Sequence, residues 1–422
     1  MKQQKTKYSG VMIIALCSLV YFVSYFSRKD FAAVMAGMLE ENVISNDIGG
    51  FIGMALFICY GAGQLVSGYL GDKIKPEILM IAGLATTTAC NLMMPLVPSP
   101  GLMIPVWAVN GFAQAMLWPP IVRILSDNLD HEQFVRANLI ISSAAHVATI
   151  LLYLYVPVCL QFYDWQTVFF TATAICLVSL VIFVIAMWRT LFAKREAKNI
   201  FRAPQMQTAN VQPTENFFVL FRKTGLFLVF FAIVMMGFLR DGIESWLPTL
   251  YCEAFERPAS ESILLSAALP VFSIVSLVLI TALHKGPLFN NEVRGSLVIF
   301  VVSIGFGVPL ALLINSKLAV VRIVCLILAT LFTACMHAIN FLLISCVPGR
   351  FSKIGRAATA SGFCNACTYI GAAISMYGIA ALSGQYGWMV TVISWIVIAA
   401  LGAVFSLLAL RRYTTFIQKE QL

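Results

Sequence analysis

The sequence predicts an all-α membrane protein with twelve transmembrane helices in two pseudo-symmetric six-helix bundles. Three observations predict it: an apolar composition, twelve apolar runs interrupted once by a long polar stretch, and two motifs that recur half a chain apart. Of 422 residues, 60% are hydrophobic and 11% charged, against about 25% charged in a soluble domain. That composition excludes a water-soluble enzyme. A bilayer span takes roughly 20 apolar residues, so twelve spans use about 240 and leave about 180 for helix ends and loops.

The runs place spans at 9–38, 48–71, 77–96, 101–125, 137–160, 166–189, 222–250, 262–283, 294–314, 318–346, 357–383 and 387–411. Lys2, Lys5 and Lys7 before the apolar run from Val11 give the start a signal-peptide look. Further spans follow at once and no small-residue cleavage site is evident, so it reads as an uncleaved first helix. The polar stretch 190–221, with Lys194, Arg195, Lys198 and Arg202, reads as a cytoplasmic linker. It divides the chain into an N-terminal bundle, 1–189, and a C-terminal bundle, 222–422.

Basic residues set the orientation. An even number of spans puts both termini on one side. That side receives most of the 28 Lys and Arg, among them Lys2, Lys73, Arg123, Arg189, Arg222, Arg294, Arg350 and Arg411. Glu40, Glu41, Asp47, Asp164, Glu253, Glu256 and Glu261 fall opposite. Both termini are therefore expected in the cytoplasm, with the chain in the cell inner (plasma) membrane. The same bias accounts for the net charge of +9 without nucleic acid. The 11 cysteines are scattered through apolar runs, so a disulfide scaffold is excluded. Cys364 and Cys367 form a CxxC with no second pair or histidine nearby, and read as two small apolar residues. No cofactor or metal is expected.

Phe26-Ser27-Arg28 lies deep in the first span and Phe238-Leu239-Arg240 deep in the seventh, with the arginines 212 residues apart. Arg136-Ala137 and Arg356-Ala357 open the fifth and eleventh spans, 220 residues apart. Two six-helix halves of like topology match the major facilitator superfamily, whose substrate site lies near the midplane between repeats. Both arginines sit about 25 Å along their helices at 1.5 Å per residue. Arginine at that depth is costly unless it meets water, a counter-ion or a ligand. Guanidinium forks bind phosphate oxygens bidentately, so the pair suits an anion. A structural ion pair is the alternative for each alone.

Gly68-Tyr69-Leu70-Gly71-Asp72-Lys73 resembles the gating signature of the same superfamily between its second and third helices. There Gly68, Asp72 and Lys73 would serve packing and gating. A narrower resemblance follows. Tyr25-Phe26-Ser27-Arg28-Lys29-Asp30-Phe31 resembles the first helix of the organophosphate:phosphate antiporter family. Leu239-Arg240-Asp241-Gly242-Ile243 with Trp246, Pro248 and Thr249 is similar to its seventh. Asn110-Gly111, Gln114 and Trp118-Pro119-Pro120 are similar to its fourth, Ser143-Ala144-Ala145-His146 to its fifth, and Arg356-Ala357-Ala358 with Tyr386-Gly387-Trp388 to its last two. The resemblance runs through nearly the whole chain. It implies a phosphate held by Arg28 and Arg240 and joined by His146. On the residues alone, His146 reads equally well as packing.

The chain departs from the family at several positions. Gln64 stands one turn after Tyr60-Gly61, where members that carry glycerol phosphate have lysine. Asp30 replaces an asparagine, and the seventh span adds Asp241 and Glu244. Glu244 is four residues after Arg240, on its face. If all six charges of these clusters face the cavity, Arg28, Lys29 and Arg240 against Asp30, Asp241 and Glu244, they sum to zero. Asp30, about 200° around the helix from Arg28, is expected to face other helices. Tyr21 and Tyr25 share the face of Arg28, while His337 and Asn340 lie one turn apart in the tenth span. These side chains, with Tyr60 and Trp118, could contact the rest of a substrate or simply hydrogen-bond between helices. His131 and His284 read as solvated loop residues.

The function expected is a secondary active transporter, with no covalent chemistry, that exchanges a small organic phosphate or phosphonate for inorganic phosphate by alternating access. Its expected partners are a small anionic substrate, phosphate and the lipid bilayer, with no nucleic acid, and a monomeric state. The rivals are a proton-coupled symporter of an organic anion, using Glu244, Asp241 or His146, and a sugar-phosphate sensor that does not transport. A membrane enzyme is weaker, because no nucleophile–base pair is visible.

Overall fold

The computed structural model describes residues 10–129, 131–195, 221, 224–284, 286–316, 318–351 and 357–421. Every regular element among them is helical. In chain order these are α1 (Gly10–Glu40), α2 (Asn46–Lys73), α3 (Pro76–Met93), α4 (Pro100–Gln114), α5 (Trp118–Asn128), α6 (His131–Phe162) and α7 (Trp165–Arg195). Then come α8 (Leu226–Phe255), α9 (Ala259–Ser266), α10 (Ala268–Leu283), α11 (Glu292–Leu313), α12 (Ala319–Asn340), α13 (Val347–Arg350) and α14 (Ala357–Gln421). Backbone polar groups in hydrocarbon must be satisfied within the segment, which is why apolar runs of this length become helices. Ten helical segments among the described residues are long and apolar enough to cross a membrane. Counting 360–418 as two crossings, and adding the broken α4–α5 crossing, gives the twelve expected.

The departures from straight helices have local causes. The fourth span, expected unbroken over 101–125, stops at Gln114 and restarts at Trp118. Pro119 and Pro120 carry no N–H, so the carbonyls of Ala115 and Met116 lose their i+4 donors. The chain tightens there into i→i−3 bonds, Met116 N–H to Ala113 and Leu117 N–H to Gln114. In the tenth span, Phe341–Cys346 forms a π turn between α12 and α13. Pro348, which cannot donate to Ile344, lies just beyond it. The last two spans run on as α14 through a sharp turn at Gly387, with φ +78°, a left-handed conformation that glycine adopts without steric cost.

By packing, the chain forms two compact units, residues 1–34 with 59–207 and residues 35–58 with 208–422. The first is built on a buried cluster that joins α1, α3, α5, α6 and α7, including Val20, Leu84, Leu117, Ile141 and Phe183. The second takes in the end of α1 and the first half of α2. There Gly50 lies so close to α14 that a Cβ would stand 2.8 Å from the Ala380 Cβ, and Phe51 stacks on Tyr377 with ring centroids 4.5 Å apart. Within the second unit α8 and the first part of α14 cross at Gly237 and Gly371. A Cβ on either would lie 2.2 Å or 2.1 Å from a backbone carbonyl oxygen of the facing helix. Small residues at crossings are how membrane helices gain van der Waals contact when lipid supplies no hydrophobic drive.

Candidate anion site

In the first unit a buried hydrogen-bond hub holds α1 at the residue before Arg28. The Ser27 hydroxyl donates to the Val23 carbonyl at 2.8 Å and accepts from the Gln114 amide at 3.2 Å. Ser24 donates to the Gln114 carbonyl oxygen at 2.6 Å. The Ser27 carbonyl accepts from Asn91 at 3.2 Å and Asn110 at 3.3 Å. Three helices, α1, α3 and α4, thereby converge on one residue. Such networks are stiff because an unmade bond in a low-dielectric interior is expensive.

The Arg28 guanidinium, fixed beside this hub, lies over two aromatic faces. It is 4.3 Å from the Tyr25 centroid and 4.9 Å from that of Tyr60. Tyr21 continues the aromatic wall, 5.0 Å from Tyr25 and 4.7 Å from Trp118. Cation–π contact holds the charge in an apolar setting. Lys29 is buried beside it. Asp30 is 0% exposed; one carboxyl oxygen takes the Phe31 N–H at 2.8 Å and the other has no hydrogen-bond partner. Asp30 is thus enclosed by protein.

His146 is half-buried on α6, its Nδ1 2.9 Å from the Ser142 carbonyl. A carbonyl only accepts, so Nδ1 carries a proton. Gln64 is half-buried one turn past Tyr60. The side chains of Gly68, Asp72, Lys73 and His131 lie outside the described residues.

In the second unit the partners of Arg240 include Asn340 and Asp241. One guanidinium nitrogen donates to Asn340 Oδ1 at 2.5 Å and another to Asp241 Oδ2 at 2.6 Å. The side chains of Arg240 and Asp241 are 13% and 8% exposed. Glu244, which the four-residue spacing puts on the face of Arg240, is buried one turn further along α8. Asn340 closes α12 where the π turn begins, and His337 lies one turn before it. Asn340 of the tenth span and the arginine of the seventh therefore meet directly.

Two features were not anticipated. The Ser24–Ser27–Asn91 part of the hub carried a signal, serines one turn apart in an apolar helix, but their partners depend on which helices adjoin. His284, expected in solvent, has its Nε2 3.9 Å from Glu292 Oε1 and its ring edge-on to Phe341 at 5.9 Å. Glu292 is 1% exposed, also bonded by Arg350 at 2.9 Å and by Tyr413 at 3.1 Å.

A family model of the Major Facilitator Superfamily matches residues 17–357. The chain is 26% identical over 176 residues to a probable hexose phosphate transport protein of Chlamydia trachomatis, covering 42% of this chain and 39% of the relative. It is 23% identical over 249 residues to a glycerol-3-phosphate transporter of Bacillus subtilis, 54% of each chain. It is 30% identical over 108 residues to the membrane sensor protein UhpC of Escherichia coli, 26% of this chain and 25% of the relative. These matches span between a quarter and about half of the relatives' lengths. Among solved structures, an inward-facing, unoccupied bacterial homolog of the human lysosomal transporter Spinster superposes with a TM-score of 0.73 at 13% identity, covering 97% of this chain and 99% of that one. The nucleoside transporter NupG gives a TM-score of 0.68 at 14% identity, covering 95% of this chain and 99% of that one. A multi-pass helical fold shared along its whole length with such proteins, and a family match over most of the sequence, place the conclusion beyond the motifs alone: the chain belongs to the Major Facilitator Superfamily, a family of membrane transporters and not of enzymes.

Proposed function

We propose that the protein exchanges a small organic phosphate or phosphonate for inorganic phosphate by alternating access, in the inner membrane with both termini in the cytoplasm. The observation that carries this reading is the pair of arginines, each set in its own unit by a polar or aromatic framework. Arg28 and Arg240 each give the anion a guanidinium fork. The printed functions of the hexose phosphate and glycerol-3-phosphate relatives support the substrate class. On binding, phosphate oxygens take over Arg240 N–H groups from Asp241 and Asn340. This exchange makes binding differ between conformations, and a ligand shifts an equilibrium only by such a difference.

Counterflow of labelled phosphate in proteoliposomes, against a panel of organic phosphates, phosphonates and carboxylates, tests the reading. Exchange driven by an organic phosphate supports it. Exchange driven by carboxylates alone overturns the substrate class. Saturable binding without exchange selects a sensor, the function printed for the Escherichia coli relative.

His146 makes a separable prediction. Its Nδ1 proton is committed to Ser142, so a neutral ring presents Nε2 as an acceptor, which repels an oxyanion. The ring donates through Nε2 only as imidazolium. His146→Gln removes that donor, and phosphate binding is expected to weaken; unchanged substrate affinity in the variant, measured by binding to the purified protein, returns His146 to a packing role.

A further inference from the structure

A groove on the second unit lies away from the arginine cluster. It opens at the start of α8 between that helix and the two ends of α14, and has a volume of about 610 Å³, within the roughly 300–1,000 Å³ of ligand pockets. Phe227, Phe231 and Phe363 form its exposed wall, 54%, 40% and 39% exposed, and Phe230 with Leu228 line it further in. The aromatic wall is continuous: Phe230 and Phe363 meet at 4.8 Å and Phe227 and Phe231 at 5.1 Å. Gly225 closes one end; a Cβ there would lie 3.1 Å from the Arg412 Cβ.

Among the described residues, the one charged side chain lining the groove is Arg412. It makes no hydrogen bond or ion pair with the described residues. An apolar slot with a cation at one end, where a membrane helix gives way to polar sequence, has the charge pattern of a phospholipid with an anionic headgroup. The acyl chain covers the phenylalanines and the phosphate meets the guanidinium, which binds phosphate oxygens in a fork. Neutral lipid would leave that cation without an anion, so the groove selects by charge. We propose that this groove binds an anionic phospholipid of the surrounding leaflet, with its phosphate on Arg412. The site is distinct from Arg28 and Arg240, and its occupancy does not depend on the transported substrate.

The purified full-length protein, titrated with phosphatidylglycerol and phosphatidylcholine of matched chains and read by native mass spectrometry, tests this. The wild type is expected to prefer phosphatidylglycerol by about fivefold, the size of one basic side chain's attraction to an anionic surface. Arg412→Gln abolishes the preference. Arg411→Gln, which removes the same charge from an exposed neighbour outside the lining, leaves it intact. Leu228→Trp, which fills the slot, weakens retention of both lipids. Equal loss in the two arginine variants, no preference in the wild type, or unchanged retention in Leu228→Trp overturns the proposal.

Discussion

Arg28→Lys and Arg240→Lys each reduce phosphate exchange about a hundredfold or more while the protein still inserts and folds. Hydrogen bonds to charged groups contribute about 1.5–3 kcal/mol each, and a fork makes two, so losing the geometry costs this much even with the charge kept. The two variants fail for different reasons. Lysine at 28 keeps a charge near Tyr25 and Tyr60 but has no planar fork to offer an oxyanion. Lysine at 240 is a point charge that does not reproduce the two-pronged hold on Asp241 and Asn340. Counterflow rates, with thermal unfolding midpoints as the folding control, measure both. Near-normal exchange by either lysine variant removes that arginine from the site.

A second large effect is structural. Gly371→Ala and Gly237→Ala each destabilise the second unit by about 3 kcal/mol or more, the upper range for overpacking. The added methyl meets backbone: the Val234 carbonyl oxygen at 2.1 Å for Gly371 and the Thr368 oxygen at 2.2 Å for Gly237. Backbone within a helix cannot step aside alone, so α8 and α14 must separate. Gly305→Ala is the matched control, since a Cβ there meets nothing within 4 Å and alanine is the better helix former by about 1 kcal/mol. Thermal unfolding in detergent is expected to show two lowered midpoints and one unchanged or raised. Equal midpoints in all three variants would mean the helices do not cross so closely.

What could be read in advance follows from how local each cause is. Apolar runs and the shared face of Tyr25 and Arg28 depend on composition and on helical spacing, and the structure shows both. The break at 115–117 was also written locally, in Pro119 and Pro120, but the apolar run around them argued for one continuous span. Asp241 shows a different limit. Adjacent positions on a helix diverge by about 100°, so spacing alone does not pair Asp241 with Arg240; the reach of the arginine side chain brings the two to 2.6 Å. Asn340 and the Ser27 hub were out of reach for another reason. Their partners come from other helices, and nothing in the order of residues says which helices adjoin.

The π turn at Phe341–Cys346 has a mechanical consequence. It divides the tenth span between two attachments, Asn340 on Arg240 at one end and Arg350 on Glu292 at the other. A π turn holds one residue more than an α turn. Moving that surplus residue along the helix rotates one side against the other by about 100°, with little change in length. The span therefore contains a swivel. Asn340 can turn relative to Arg240 while Arg350 keeps its hold on Glu292, so one half of the span can rotate without unfastening the other.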